Sequence, residues 1–112
     1  MKPSEKRALE ANSSSESLVL QDYENGLVTL TLNRPEQYNA LSEAMLDSLQ
    51  EHLDAIAKSE EIRIVVLQGA GKAFCAGHDL KEMINTPTKK YYQILFKKCS
   101  KMMMTLNQMP QP

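Results

Sequence analysis

Tryptophan is absent from this 112-residue chain, and four tyrosines and two phenylalanines are its only aromatic rings. Any core it builds must therefore be mainly aliphatic. Cysteine is scarce too. Cys75 and Cys99 make neither a disulfide framework nor a metal-ligand set, and each reads as a small buried hydrophobe in a reducing compartment. No apolar run reaches the ~18 residues of a membrane helix. An excess of either charge is missing as well: 13 basic and 14 acidic residues leave a net charge of -1. That balance gives no reason to expect nucleic acid or an anionic membrane as partner. The N-terminus lacks an apolar signal core, and Glu5, Glu10 and Glu16 argue against an acid-poor transit peptide. A cytoplasmic location is the expectation, with a mitochondrial one left open for a eukaryotic source. What is present, 42% apolar and 24% charged residues, suits one small globular domain.

Residues 1–17 are polar, Ser-rich and aperiodic, which predicts a disordered arm followed by a domain over 18–112. Leu18–Gln21 and Leu27–Leu32 are β-rich, and Asn25-Gly26 between them signals a hairpin. Pro35 ends the second strand. Ser42 can cap a helix running to Ala57 or Lys58, with Met45, Leu46, Leu49, Leu53 and Ile56 at helical spacing. His52 reads as a solvated residue of its polar face. Ile62–Leu67 is almost continuously apolar, as in a strand covered on both faces. Strand, helix and strand in that order predict a β-α-β crossover and a mostly parallel sheet. A last helix is expected over Thr88–Asn107, burying Tyr92, Leu95, Phe96, Cys99, Met103 and Leu106. Lys89, Lys90, Lys97, Lys98 and Lys101 make its other face basic, which reads first as a solvated surface and second as an attraction for a phosphate-bearing ligand.

The chemistry concentrates in Gly69–Lys81, a glycine turn that follows a strand and leads into a short helix. Such a turn can aim free main-chain N–H groups at an anion or a developing oxyanion. It is not a P-loop, because position 66 is Val66 and Gly71-Lys72 is followed by Ala73 rather than a hydroxyl residue. It is not a dinucleotide fingerprint either, because Phe74 stands where a glycine or alanine is needed. No other His/Cys cluster exists in the sequence to complete a metal site with His78-Asp79, so none is expected. The main-chain N–H of His78 is a better candidate for function than its ring.

Three blocks in this order resemble the crotonase, or enoyl-CoA hydratase/isomerase, superfamily: Val28–Asn33 with Arg34-Pro35, Tyr38-Asn39-Ala40-Leu41, and Ile64–Leu67 through Phe74–Met83. The resemblance runs from Leu18 to Pro112. It implies an α/β fold, the N-terminal part of the crotonase (ClpP/crotonase-like) spiral of β-β-α units. It implies an acyl-CoA thioester substrate, with coenzyme A as part of that substrate and no separate cofactor. It implies a thioester enolate stabilised in an oxyanion hole whose first donor is the N–H of His78. Tyr38, Asn39 and Ala40, together with Ala76, Gly77, His78, Asp79, Leu80 and Lys81, are implied to hold the CoA adenine and pantetheine.

The resemblance also implies trimers or hexamers for a full-length protein, and a role in fatty acid metabolism. The position of His78 often holds a small residue such as alanine, yet a main-chain donor survives that change. The family's second oxyanion glycine and its acid/base glutamates fall in a later segment, so no Glu of this chain, Glu43 and Glu82 included, takes their place. The chain is accordingly expected to be the N-terminal part of a hydratase-like enzyme, inactive alone. The alternative is a non-catalytic truncated product that binds CoA weakly or associates with full-length subunits.

Overall fold

The computed structural model describes residues 17–112. The disordered arm expected over residues 1–17 lies outside the described residues, apart from Ser17. Strands β1 (Val19–Glu24) and β2 (Leu27–Leu32) form an antiparallel hairpin. β1 runs past the expected end at Gln21, which leaves Asn25-Gly26 as a two-residue turn. Both residues have positive φ, 49° and 86°, the backbone that a tight hairpin requires to match the strand twist.

The chain next crosses over through a 3-10 turn (Pro35–Gln37) and helix α1 (Glu43–Ala57) to strand β3 (Ile64–Gly69). The Ser42 hydroxyl accepts from the Met45 N–H at 3.1 Å and caps α1 as its sequence implies. β3 lies parallel to β2, from Leu27 opposite Ile64 to Leu32 opposite Gly69, giving the sheet order β1-β2-β3. Helices α2 (Leu80–Asn85) and α3 (Lys89–Gln108) follow, with the Thr88 hydroxyl capping α3.

The core sits on one face of this sheet. Val19, Val28, Leu30 and Leu32 meet Met45, Leu46, Leu49, Leu53 and Ile56 of α1 and Tyr91, Leu95 and Met102 of α3. Each of these large aliphatic side chains contributes about 1.5–3 kcal/mol by leaving water. No described helix is long and apolar enough to cross a membrane.

Three expectations are corrected. His52 is not on a solvated face: it is 5% exposed, and its Nδ1 pairs with Oε1 of Gln21 on β1. It stands three residues after Leu49 and four before Ile56, inside the apolar stripe, and Gln21 shares the sheet face of Leu30, its cross-strand partner. Burial pushes its pKa below the usual imidazole value, opposed by the charge of Glu51. The buried line of α3 runs through Tyr91, Leu95 and Met102, so Phe96 and Met103 are exposed rather than core. The helix is turned to bring Lys98 onto Glu43 (2.7 Å) and Asp47 (2.9 Å) of α1. Last, β3 is covered on one face only. Val65 and Leu67 pack against the core, while Ile64 and Val66 are 48% and 39% exposed. A strand apolar on both faces needs a layer on each, and the described helices supply one.

Candidate functional site

Two loops make the site. The first begins at Asn33 and enters a 3-10 turn started by Pro35, whose fixed φ suits a first helical position. It ends with Tyr38 and Asn39 both left-handed, φ 53° and 54°. Two successive non-glycine residues in that region cost about 1–2 kcal/mol each, so something must hold them. The Asn39 side chain does. It is fully buried, its Oδ1 accepts from the Arg34 N–H at 2.8 Å, and its Nδ2 donates to Ala70 O and Ala73 O, each at 2.9 Å. The last two bonds staple this loop to the glycine turn after β3. A Cβ on Gly69 would lie 2.4 Å from Phe74 O, so that turn closes only around glycine.

The second loop is Cys75–Asp79. It lies alongside the first like a short parallel strand pair. The Ala76 N–H donates to Tyr38 O (3.0 Å), the Leu41 N–H to Gly77 O (2.7 Å) and the Asp79 N–H to Leu41 O (3.2 Å), making a β-bridge of Leu41 and His78. Gly77 takes φ 93°, a value that side-chain-bearing residues rarely adopt. Because both neighbours of His78 bond to Leu41, the N–H of His78 points the other way. It has no acceptor among the described residues. The His78 amide is thus held in place with its N–H open.

The His78 ring plays a packing role. It meets Phe96 of α3 edge to face, centroids 5.4 Å apart at 67°, and its Nδ1 is buried without a hydrogen-bond partner. The aromatic contact fixes the orientation of the donor residue against α3. The carboxylates nearby are engaged. Asp79 Oδ1 accepts from the Glu82 N–H (3.1 Å) and caps α2. Glu82 Oε1 accepts from the Glu43 N–H (3.0 Å) at the start of α1 and from the Tyr91 hydroxyl. Burial, then the bond to Glu82, push the Tyr91 pKa well up, so that hydroxyl stays protonated. Among the described residues no three His, Cys, Asp or Glu side chains are grouped to hold a metal ion.

The structure therefore brings together two segments that the sequence picked out separately, Tyr38–Leu41 and Ala76–Asp79. It does not give their side chains equal roles. Tyr38, Ala76, Leu80 and Lys81 are exposed, whereas Asn39 and Ala40 are buried and Asn39 braces the loops. The bracing by Asn39 went unread in the sequence; asparagine next to a residue in the left-handed region is a signal for such local side-chain bonding.

Comparison with known proteins identifies the family. The enoyl-CoA hydratase/isomerase family profile matches residues 27–112. The chain belongs to the enoyl-CoA hydratase/isomerase family. Among curated relatives, the mitochondrial enoyl-CoA hydratase domain-containing protein 3 of Danio rerio is 32% identical over 96% of this chain and 37% of its own length. The sequence of the Gly77-His78-Asp79-Leu80 turn resembles that branch of the family. An enoyl-CoA hydratase from Mycobacterium smegmatis superposes with TM-score 0.84 at 54% identity, covering 87% of this chain and 38% of that one. Human enoyl-CoA hydratase domain-containing protein 3 superposes with TM-score 0.80 at 33% identity over 85% of this chain and 38% of that one. The fold is thus a part of the crotonase fold, and the chain spans about a third of the length of the relatives it matches.

Proposed function

We propose that the paired loops form the thioester end of an acyl-CoA site, in which the His78 main-chain N–H is one donor of an oxyanion hole. The observation that carries this is the open, rigidly held amide of His78. Enolising a thioester places negative charge on its carbonyl oxygen, and a donor already aimed there lowers the barrier by about 3–4 kcal/mol. The amide dipole is fixed by the Leu41 bridge and the Phe96 contact, so no reorganisation is needed when charge develops. Exposed Lys81 and the lysines of α3 favour the phosphates of CoA. Exposed Tyr38 and Leu80 offer apolar surface to the rest of the CoA arm.

Hydration or isomerisation also needs a mobile proton carrier. The carboxylates around His78 are committed to helix caps and to Lys98, so none is free for that work. On this reading the 112-residue chain binds acyl-CoA without turning it over, and the second donor and the acid/base groups of the whole enzyme come from outside it. Trimeric or hexameric assembly and a place in fatty acid metabolism belong to that whole enzyme. The vertebrate relatives are described as mitochondrial, which makes the mitochondrial option, rather than the cytoplasmic one, the first to test by fractionation.

Calorimetric titration with acetyl-CoA and free CoA tests the site. His78→Ala retains the main-chain donor and should retain the preference for the thioester; His78→Pro removes the N–H and should lose it. Equal behaviour of the two variants, with the fold checked by circular dichroism, rules the donor out.

A further inference from the structure

Helix α2 is six residues long and buries none of them. Leu80 and Ile84 are 69% and 74% exposed, and of its residues only Met83 packs against the core. So short a helix has no stability of its own in water, and its hold on the rest of the chain is mainly polar. The Tyr92 hydroxyl donates to Met83 O at 3.2 Å. The other tie is Glu82, whose Oε1 accepts both from the Glu43 N–H (3.0 Å) and from the Tyr91 hydroxyl. No lysine or arginine pairs with this carboxylate among the described residues. It is held by those two donors, and bonds to an ionised acceptor are stronger than neutral ones. The Glu43 N–H is moreover the first amide of α1, an orphan donor at the positive end of the helix dipole.

Glu82 closes a ring around the His78 amide. On one side of the ring lie Leu41, Ser42 and Glu43, and on the other Gly77 to Glu82. The Leu41 N–H to Gly77 O and Asp79 N–H to Leu41 O bonds join the two at one end. The bond from the Glu43 N–H to Glu82 joins them at the other. Between the two, Asp79 Oδ1 accepts from the Glu82 N–H (3.1 Å) and sets the first turn of α2. Gly77 enters this ring at φ 93°, and a Cβ there would meet nothing within 4 Å. The backbone before His78 therefore has room to turn, and the bridge to Leu41 restrains it from one end only.

We infer that Glu82 is a positioning residue: through Asp79 and the start of α1 it holds the His78 N–H in the direction that a thioester carbonyl requires. It acts through the donor and not on the substrate. The inference rests on the acyl-CoA reading for what the amide does, while the restraint on the amide is measurable without any ligand. Both bonds to Glu82 end on the same oxygen, which gives a sharp chemical expectation. Glutamine keeps an acceptor at that place and should preserve the ring. Methionine keeps the length of the side chain and removes the acceptor.

The test compares Glu82→Gln and Glu82→Met in the isotope-labelled chain, first without ligand. Amide exchange at Leu41 and Asp79, the two bridge bonds that flank His78, should quicken at least about tenfold in Glu82→Met and stay within about threefold of wild type in Glu82→Gln. The His78 amide resonance should move in the first variant and hold in the second. Tyr91→Phe leaves the ring in the core and removes one donor, so it should loosen the same two amides by a smaller factor and carries the test if Glu82→Met does not fold. Calorimetric titration then follows the function: Glu82→Met should weaken acetyl-CoA binding at least about tenfold, with the affinity restored in Glu82→Gln. Unchanged exchange at Leu41 and Asp79 in both Glu82→Met and Tyr91→Phe, or a glutamine variant as loose as the methionine one, would overturn the inference. A wild-type chain that does not prefer acetyl-CoA to free CoA would instead overturn the acyl-CoA reading, and the exchange rates would still decide whether Glu82 holds the amide.

Discussion

Replacing Asn39 by alanine should cost far more than a loop substitution ordinarily does. The side chain makes three hydrogen bonds in full burial, accepting from Arg34 N–H and donating to Ala70 O and Ala73 O. Alanine leaves all three main-chain partners unmatched, at about 1–3 kcal/mol for each that water cannot reach. Ala70 and Ala73 are only half-buried and regain some solvent, which holds the sum near the lower end, about 3 kcal/mol. Alanine at φ 54° adds a left-handed penalty of about 1 kcal/mol. Asn39→Gly removes the same bonds without that penalty and so isolates the side chain. With a urea slope of about 1–1.5 kcal/mol/M for a chain of this size, the glycine variant should lower the unfolding midpoint by about 2–3 M. Asn39→Asp sharpens the test. Its carboxylate would face two carbonyl oxygens, which raises its folded-state pKa above the unfolded one. Such a group supplies its stability below the unfolded pKa and loses it as pH rises through the folded pKa. The aspartate variant should therefore be the least stable of the three at neutral pH and recover toward wild type in acid, where an O–H donor returns. A glycine variant within about 1 kcal/mol of wild type, or an aspartate variant without acid recovery relative to wild type, would refute the stapling role.

Three further outcomes follow from the packing. The unfolded His52 ring takes up its proton near 6.5 while the buried ring resists it, so unfolding free energy should fall as pH drops below that value. His52→Gln should flatten this dependence, and equal slopes in urea titrations of the two proteins would remove His52 as its source. Lys98 is held charged by its bonds to Glu43, then to Asp47, but the pair is one-third exposed or more on both sides. Lys98→Met should thus cost only about 0.5 kcal/mol, and the difference should vanish in high salt; a loss that salt does not touch would point to lost packing instead. A Cβ at Gly77 meets nothing within 4 Å, so Gly77→Ala should cost only its backbone strain, about 1–2 kcal/mol, while weakening acetyl-CoA binding as the His78 amide turns away. Unchanged binding in calorimetry would separate the amide from the site.

Elements with local signals were legible in the residues. Ser42 and the spacing of Met45, Leu49, Leu53 and Ile56 mark α1 almost to the residue, and Asn25-Gly26 marks the hairpin turn. The glycine turn was legible as a place for open amides, though its pairing with Tyr38–Leu41 depends on Asn39 reaching across more than thirty positions. The errors share a physical cause. His52 has the spacing of a core residue and the chemistry of a surface one, and the deciding partner is Gln21 on another element. On α3, the stripe through Tyr92, Phe96, Cys99 and Met103 is as apolar as the one through Tyr91, Leu95 and Met102. Lys98 favours the second by pairing with Glu43 and Asp47 on α1, which no periodicity within α3 reveals. Gln111 gave no signal at all, because the carbonyls its side chain bonds, Ile56 O in the last turn of α1 and Ser59 O just beyond it, lie more than fifty positions away.

The proposed site turns on the main-chain N–H of His78, and its amide resonance is the most direct reporter. Isotope-labelled protein titrated with acetyl-CoA should show its largest shift at His78, with smaller shifts at Gly77 and Leu41, and free CoA should leave the His78 amide in place. A His78 amide that stays still while acetyl-CoA moves resonances elsewhere would contradict the donor role.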